Sequence, residues 1–317
     1  MRLPVSARAD STDSGQVVLQ MRFTPGDTYK YQTNMQLGFT LPTPSSTRPT
    51  PANSAKTGAG SALGGTTFTV NAVQQIYVRR TASGGGGDLE VTTTGQNSLP
   101  GQPPVLSNDT RPVLMTYDAQ GKLVSIRRQS ETASANPMFG ALLGQGLLSM
   151  QGVVLPGKPV RIGETWTQKV QIPGVTGSGS STVKSTLTRI ENVGKYRTAR
   201  LHVVITTPVS AYLDAALQPT TRQVEAASTM TGTAVVTDDV NFAIAEGRVI
   251  RSAGKGVTSM TVAIGKPVIP DKPAPKRRKK GVVQTPPAAT APAKSGQVLK
   301  MTVSTDIQTN LVEPAKK

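Results

Sequence analysis

The chain has 317 residues, no cysteine, one histidine and a formal net charge of +17; that length can bury about three quarters of the unfolded surface, while disulfides, thiolate metal sites and cysteine nucleophiles are excluded. Aromatic residues make up only 4%, and Thr, Ser, Val, Gly and Pro dominate, so a core must be built from small β-branched side chains on sheet faces. No run approaches the ~20 apolar residues of a spanning helix, and residues 1–15 hold no apolar stretch of the kind that marks a signal peptide, so the chain as written reads as soluble, with either an internal location or a leader removed.

In chain order, residues 1–15 are expected to be disordered, and Gln16 to Phe23 reads as an edge or lead-in strand. The phrase Thr24-Pro25-Gly26-Asp27-Thr28-Tyr29-Lys30-Tyr31 then places a glycine turn before an extended run to Leu41, with Tyr29, Tyr31, Thr33, Met35 and Leu37 on one face. Residues 42–65 carry no apolar pattern and are expected to be a disordered loop. Phe68 to Arg80 resumes the alternation, with Phe68, Val70, Ala72, Gln74, Ile76 and Val78 on one side. Gly84 to Gly87 interrupts it, and Asp88 to Thr94 returns as a hairpin partner. After a loose stretch from Gly95 to Pro112, Val113–Tyr117 and Lys122–Arg128 form a second hairpin about Asp118-Ala119-Gln120-Gly121.

Residues 136–150 are the one expected helix. Asn136 suits the N-cap and Pro137 the first turn, while Met138, Phe139, Leu142, Leu143 and Leu147 recur at helical spacing. Gly140, Gly144 and Gly146 weaken it by up to ~1 kcal/mol each, so it must be held by packing against an apolar sheet face.

The second half, 151–312, follows the plan of the first half, 16–135. Arg161-Ile162-Gly163-Glu164-Thr165-Trp166-Thr167-Gln168 matches the first opener, and Ala245-Glu246-Gly247-Arg248-Val249-Ile250 matches Ala119-Gln120-Gly121-Lys122-Leu123-Val124. Strands are expected from Trp166 to Ile172, Ser181 to Glu191, Arg197 to Thr207, Thr221 to Thr237, Val240 to Ala245 and Arg248 to Ile264. Gln297 to Val312 is the returning strand, and residues 313–317 are a tail. Between these last two strands lies a proline-rich insertion, 266–296, whose prolines forbid a helix or a central strand. It holds eight cations against Asp271 alone, so +7 of the charge sits there and +10 is spread over the rest.

Chemical constellations are thin. His202 stands mid-strand with no second histidine, so neither a triad nor a zinc site is composed around it. Asp238-Asp239 could suggest a paired-carboxylate site, but adjacent strand residues face opposite ways, and a turn at Thr237 to Val240 explains them better. Gly84 to Gly87 lacks the following Lys and Ser or Thr of a phosphate loop. Trp166 and Tyr29 read as core anchors at strand starts. The cluster Lys272, Lys276, Arg277, Arg278, Lys279 and Lys280 can contact a polyanion by counterion release; with no aromatic in the insertion, such contact would be to phosphate or its equivalents and not to bases. The alternative for this cluster is a solvated loop.

The paired openers, the stretch Val154-Leu155-Pro156 to Val160 and Gly163-Glu164-Thr165-Trp166, and the two Ala-x-Gly-Lys/Arg hairpins resemble a bacterial exported protein family of unknown function. The resemblance spans about Leu19 to Val312. It implies an all-β fold and a periplasmic or extracellular setting, and it transfers no catalytic residues.

The expected architecture is all-β: two related halves of curved antiparallel sheet, an open barrel or sandwich-like, joined by one short helix. The expected function is a non-enzymatic binding or scaffold protein of the bacterial envelope or exterior. Its ligand would be an apolar small molecule or lipid held between the sheet and the helix, against Phe139, Leu142, Leu143 and Leu147. The rival is an adaptor that meets anionic surfaces or nucleic acid through the insertion. No cofactor or metal is expected, and an enzyme ranks third for want of a convergent acid, base or nucleophile.

Overall fold

The computed structural model describes residues 15–40, 66–82, 85–98, 104–107, 112–128, 153–171, 180–212, 229–264 and 297–312. The loop 42–65, the helix 136–150 with Phe139, Leu142, Leu143 and Leu147, the insertion 266–296 with Lys272, Lys276, Arg277, Arg278, Lys279 and Lys280, and the tail 313–317 lie outside the described residues.

What is described is all-β. The strands are β1 (Gln16–Val17), β2 (Thr28–Thr40), β3 (Thr66–Thr81), β4 (Gly87–Ser98), β5 (Val105–Ser107), β6 (Val113–Tyr117), β7 (Leu123–Arg128), β8 (Val160–Arg161), β9 (Thr165–Val170), β10 (Ser181–Val193), β11 (Tyr196–Tyr212), β12 (Thr229–Ala243), β13 (Arg248–Ile264) and β14 (Gln297–Val312). Twelve of them make one antiparallel sheet in the order β7-β6-β4-β3-β2-β14-β13-β12-β11-β10-β9, with β5 also on β4; β1 and β8 form a separate pair. The sheet is therefore two meanders, β2 to β7 and β9 to β14, fused where the last strand pairs with β2, Thr33 opposite Thr309 and Met35 opposite Ile307.

The sheet curls until it is nearly closed into a barrel, and its apolar inner positions pack with one another and with Val17, Leu19 and Val153 to Leu155 of the segments that cross it. Val183 and Leu187 on β10, Leu201 and Val203 on β11, and Val240 and Phe242 on β12 are among the buried inner positions. A fully buried aliphatic or aromatic side chain of this kind stabilises by about 1.5–3 kcal/mol. The seam between the edge strands β7 and β9 is crossed by residues 153–155. Leu155 N donates to Gln120 O at the β6–β7 turn (2.8 Å), and Trp166 Nε1 on β9 donates to Val154 O (2.7 Å).

The two openers build the same local device. Gly26 and Gly163 hold φ of 89° and 88°, in the left-handed region that only glycine enters freely. In each turn the following acid's N–H returns to a carbonyl three residues back, Asp27 to Thr24 and Glu164 to Arg161, both at 3.0 Å. Each glycine N–H then bonds the next strand, at Val78 O and Leu187 O, and those residues' N–H groups return to Asp27 O and Glu164 O. A register shift follows at both places, between Val78 and Arg80 and between Leu187 and Arg189.

Three expectations need correction. The lead-in run is a strand only at Gln16–Val17, paired to β8; beyond it the chain crosses the inner face, so its N–H groups bond turns and not a ladder. The strand expected from Thr221 to Thr237 is described as β12, Thr229–Ala243, and it runs on through Ala243. Asp238 and Asp239 are consequently not in a turn: they sit mid-strand, opposite Gly254 and Ala253, where Gly254 leaves room for the Asp238 carboxyl, whose Oδ1 lies 3.1 Å from the point a Cβ would occupy. The return of Gln297–Val312 onto β13, from Ile264 opposite Gln297 to Arg251 opposite Asn310, is as the sequence predicts.

Candidate functional site

Where the two meanders meet, the lead-in segment lies across the inner face and is gripped by two hairpin turns. Met21 N donates to Ala119 O in the β6–β7 turn and Arg22 N to Gly247 O in the β12–β13 turn, each at 3.0 Å. Gly247 is required here, since a Cβ would stand 2.6 Å from the Arg22 backbone nitrogen and its φ is 64°. Phe23 then drops onto Gly87, where a Cβ would meet its ring at 2.6 Å.

Beneath this segment is a cleft of about 60 Å³. Its walls are Met21 and Phe23 from the lead-in, Tyr29 and Tyr31 of β2, Gln74 and Ile76 of β3, Leu89 of β4, Tyr117 of β6, and Arg248 and Val249 of β13. Four of the chain's twelve aromatic residues line this one place. Three hydroxyls are committed: Tyr31 OH donates to Val249 O (2.9 Å), Tyr29 OH to Asp27 Oδ2 (2.8 Å), and Tyr117 OH makes a weak bond to Met115 Sδ (3.4 Å). Burial, then the Asp27 bond, pushes the Tyr29 phenol up to about 12; burial also raises Tyr31 and Tyr117. All three are neutral donors at physiological pH.

Two polar atoms of the cleft have no hydrogen-bond partner among the described residues. Gln74 is 3% exposed, and its Oε1 is buried without a hydrogen bond, as is Arg248 Nε. The Arg248 guanidinium stacks over the Tyr29 ring at 4.2 Å, a contact worth about 0.5–2 kcal/mol. Leaving a buried amide oxygen unpaired costs about 1–3 kcal/mol, so the cleft offers one acceptor and one donor set in an aromatic wall. That arrangement suits an apolar body carrying a single polar group.

The outward face carries a different chemistry. Asp239 accepts from Arg200 Nη2 (2.8 Å) and His202 Nδ1 (3.0 Å). Burial alone would raise its carboxyl, but these two partners outweigh that and hold it below the usual range. His202, mid-strand as the sequence indicates, is 45% exposed and has this carboxylate partner. On the inward face Asp238 is 2% exposed with Oδ1 unpaired, and burial, only partly offset by Ser252 and backbone N–H groups, pushes it up to about 7. Trp166 is a buried anchor of the larger core cluster and Tyr29 packs at the edge of a second.

The residues proposed from sequence for the ligand, Phe139, Leu142, Leu143 and Leu147, and for polyanions, Lys272 and the run Lys276 to Lys280, lie outside the described residues, so the cleft is built from other side chains. Period-2 alternation places Tyr29 with Tyr31 on one face of their strand and Gln74 with Ile76 on one face of theirs. Their convergence with Arg248 depends on the β14–β2 pairing of residues more than 200 apart, such as Lys30 with Val312, for which no short-range signal exists. Among the described residues no group of three His, Cys, Asp or Glu stands close enough to hold a metal, and no helix is long and apolar enough to cross a membrane.

No protein-family model matches the chain, and no curated protein matches it. Among solved structures it is similar to one of lipovitellin that treats that protein's lipid–protein interactions, at 13% identity and a TM-score of 0.44; the match covers 93% of this chain and 26% of that one.

Proposed function

We propose that this protein binds an apolar ligand without catalysis, taking it against the inner face of the sheet at the aromatic cleft between the two meanders. The observation that carries the reading is the cleft's composition: four aromatic residues with Ile76, Leu89 and Val249 around the unpaired Gln74 oxygen and the Arg248 guanidinium. The separation of the other reactive groups supports binding over chemistry, since Asp238 faces inward while Asp239 and His202 face outward.

Size decides how the ligand enters. At about 60 Å³ the cleft is far below the ~300–1,000 Å³ of a small-molecule pocket. Uptake therefore requires residues 21–23 to swing off the face, and their hold consists of the Met21 and Arg22 backbone bonds, the Arg22 Nη1 bond to Ala245 O and the Phe23 packing. The bacterial envelope or exterior is the proposed setting, on the resemblance of the openers and hairpins; fractionation of expressing cells checks it. The halves are proposed to be copies of one plan, supported by the matching turns and register shifts at Gly26 and Gly163.

The test is titration with an apolar fluorescent dye. Phe23→Ala frees the lead-in from Gly87 and enlarges the cleft, and dye affinity should rise severalfold over the parent. Equal binding by parent and variant, with the fold intact by circular dichroism, would overturn the proposal.

A further inference from the structure

A second concavity lies on the outward face, independent of the cleft. It is a groove of about 310 Å³ lined by Arg189, Glu191, Val193, Arg200, Asp239, Asn241, Arg251 and Ala253. Two register shifts flank it, one in β10 between Leu187 and Arg189 and one where Asn241 pairs Arg251 but Phe242 pairs Val249. Bulges bend a strand and re-aim the side chains beside them, which accounts for a hollow on a face that would otherwise be convex.

Across this hollow runs a rung of donors: Arg189 opposite Arg200, Arg200 opposite Asn241, Asn241 opposite Arg251. Like charges directly opposite on neighbouring strands are destabilising, so stability alone does not select Arg189 beside Arg200. The two acids present are each held by two donors. Glu191 takes Arg189 Nε at 2.8 Å on one oxygen and Asn241 Nδ2 at 2.9 Å on the other; Asp239 takes Arg200 and His202. Each guanidinium carries five N–H donors, so these bonds orient Arg189 and Arg200 while using few of those donors among the described residues. Arg251 makes no ion pair with any described residue.

We infer that this groove is a site for a phosphate or sulfate group, held by the guanidiniums of Arg200 and Arg251 across the Asn241 amide. Arg200 on β11 and Arg251 on β13 flank Asn241 on β12 at two strand spacings, about 10 Å between backbones, and their side chains line one hollow. A tetrahedral anion presents more acceptor oxygens to converging donors than a carboxylate does, and charge-assisted bonds from arginine to such oxygens are the strong ones. The site is separate from the basic insertion. Arg251 lies at the start of β13 and the insertion follows Ile264 at its far end, 13 residues or about 43 Å along the strand.

Two sources share this chemistry, a soluble phosphate and a lipid headgroup, and the experiment distinguishes them. The full chain is titrated with inorganic phosphate at constant ionic strength, with chloride as the matched control, and sedimented with vesicles of phosphatidylglycerol or phosphatidylcholine. Arg251→Gln should weaken phosphate or phosphatidylglycerol binding about tenfold, as expected for one charge-assisted contact. Lys255→Gln, the same charge change four residues along the same face of the same strand, should alter it less than twofold. A loss confined to vesicles assigns the headgroup and a loss confined to free phosphate assigns the soluble anion. Equal losses in the two variants, no binding beyond the chloride control, or binding abolished by deleting 266–296 would each overturn the inference.

Discussion

Asp238 and Asp239 are adjacent, chemically identical and opposite in circumstance. One points into the curled sheet, 2% exposed, with its carboxyl pushed up to about 7 by burial; the other points out, paired to Arg200 and His202, and is held below its ordinary value. The difference between the two faces of one strand is thus a difference in what a charge meets. Outside, partners and water stabilise it. Inside, the neighbours are Gly254, Ser252 and the apolar rows, and ionisation is opposed.

The contrast is broken most directly with apolar positions on β12. Phe242→Ala, at 0% exposure, should cost about 3–5 kcal/mol, whereas Val235→Ala, 40% exposed on the outer face, should stay within about 0.5 kcal/mol. Urea unfolding of both variants measures this, and similar losses would mean that the outer face is covered.

Next in size is the pH dependence of Asp238. Its folded value lies above the ordinary carboxylate range, so its neutral form is favoured by folding. Stability is then highest below about pH 4 and falls as pH rises to about 7, by at most about 4 kcal/mol for a shift near three units. Asp238→Asn should flatten that slope, melting above the parent at pH 8 and no higher at pH 4. Parallel melting curves across the range would show the carboxyl to be solvated.

Smaller again is the turn. Gly247→Ala meets Arg22 and a positive φ and should cost about 2–3 kcal/mol, against about 1 kcal/mol for Gly163→Ala, where the φ is similar and the space open. Thermal melts that rank the two equally would detach the lead-in from the β12–β13 turn. Smallest is Asp239→Asn. Its depressed carboxyl contributes stability that is present above its unfolded value and lost as pH falls through the folded one. With the side chain 42% exposed the loss at pH 7 should be under about 1 kcal/mol.

Much of the strand plan was legible because its signals are local. Gly26 and Gly163 mark their turns, and the matched lengths of Arg248–Ile264 and Gln297–Val312 predict their pairing across the insertion. The buried carboxylate was not legible. Asp238 lies in the polar run Thr237-Asp238-Asp239, a composition shared with turns, and only the register with Gly254 shows why a strand tolerates it. Nor were the two candidate sites. The cleft gathers Arg248 against Tyr29 and Gln74 through the distant β14–β2 pairing, and the groove gathers Arg189, Arg200 and Arg251 beside bulges in β10 and at Asn241/Phe242, which the alternation of single strands does not show.

The pairing of β14 with β2 also fixes an order in time. β2 gains β3 on one side once residue 81 has been made, but its other side waits for Gln297–Val312. At roughly 5–20 residues per second, the roughly 260 residues from Thr40 to Gln297 take about 13–50 s to synthesise. Through that interval a 13-residue strand presents unpaired N–H and C=O groups, the template on which other chains add. Solubility of the nascent chain accordingly depends on what occupies β2 before the last strand emerges, and a ribosome stalled short of residue 297 leaves that edge open.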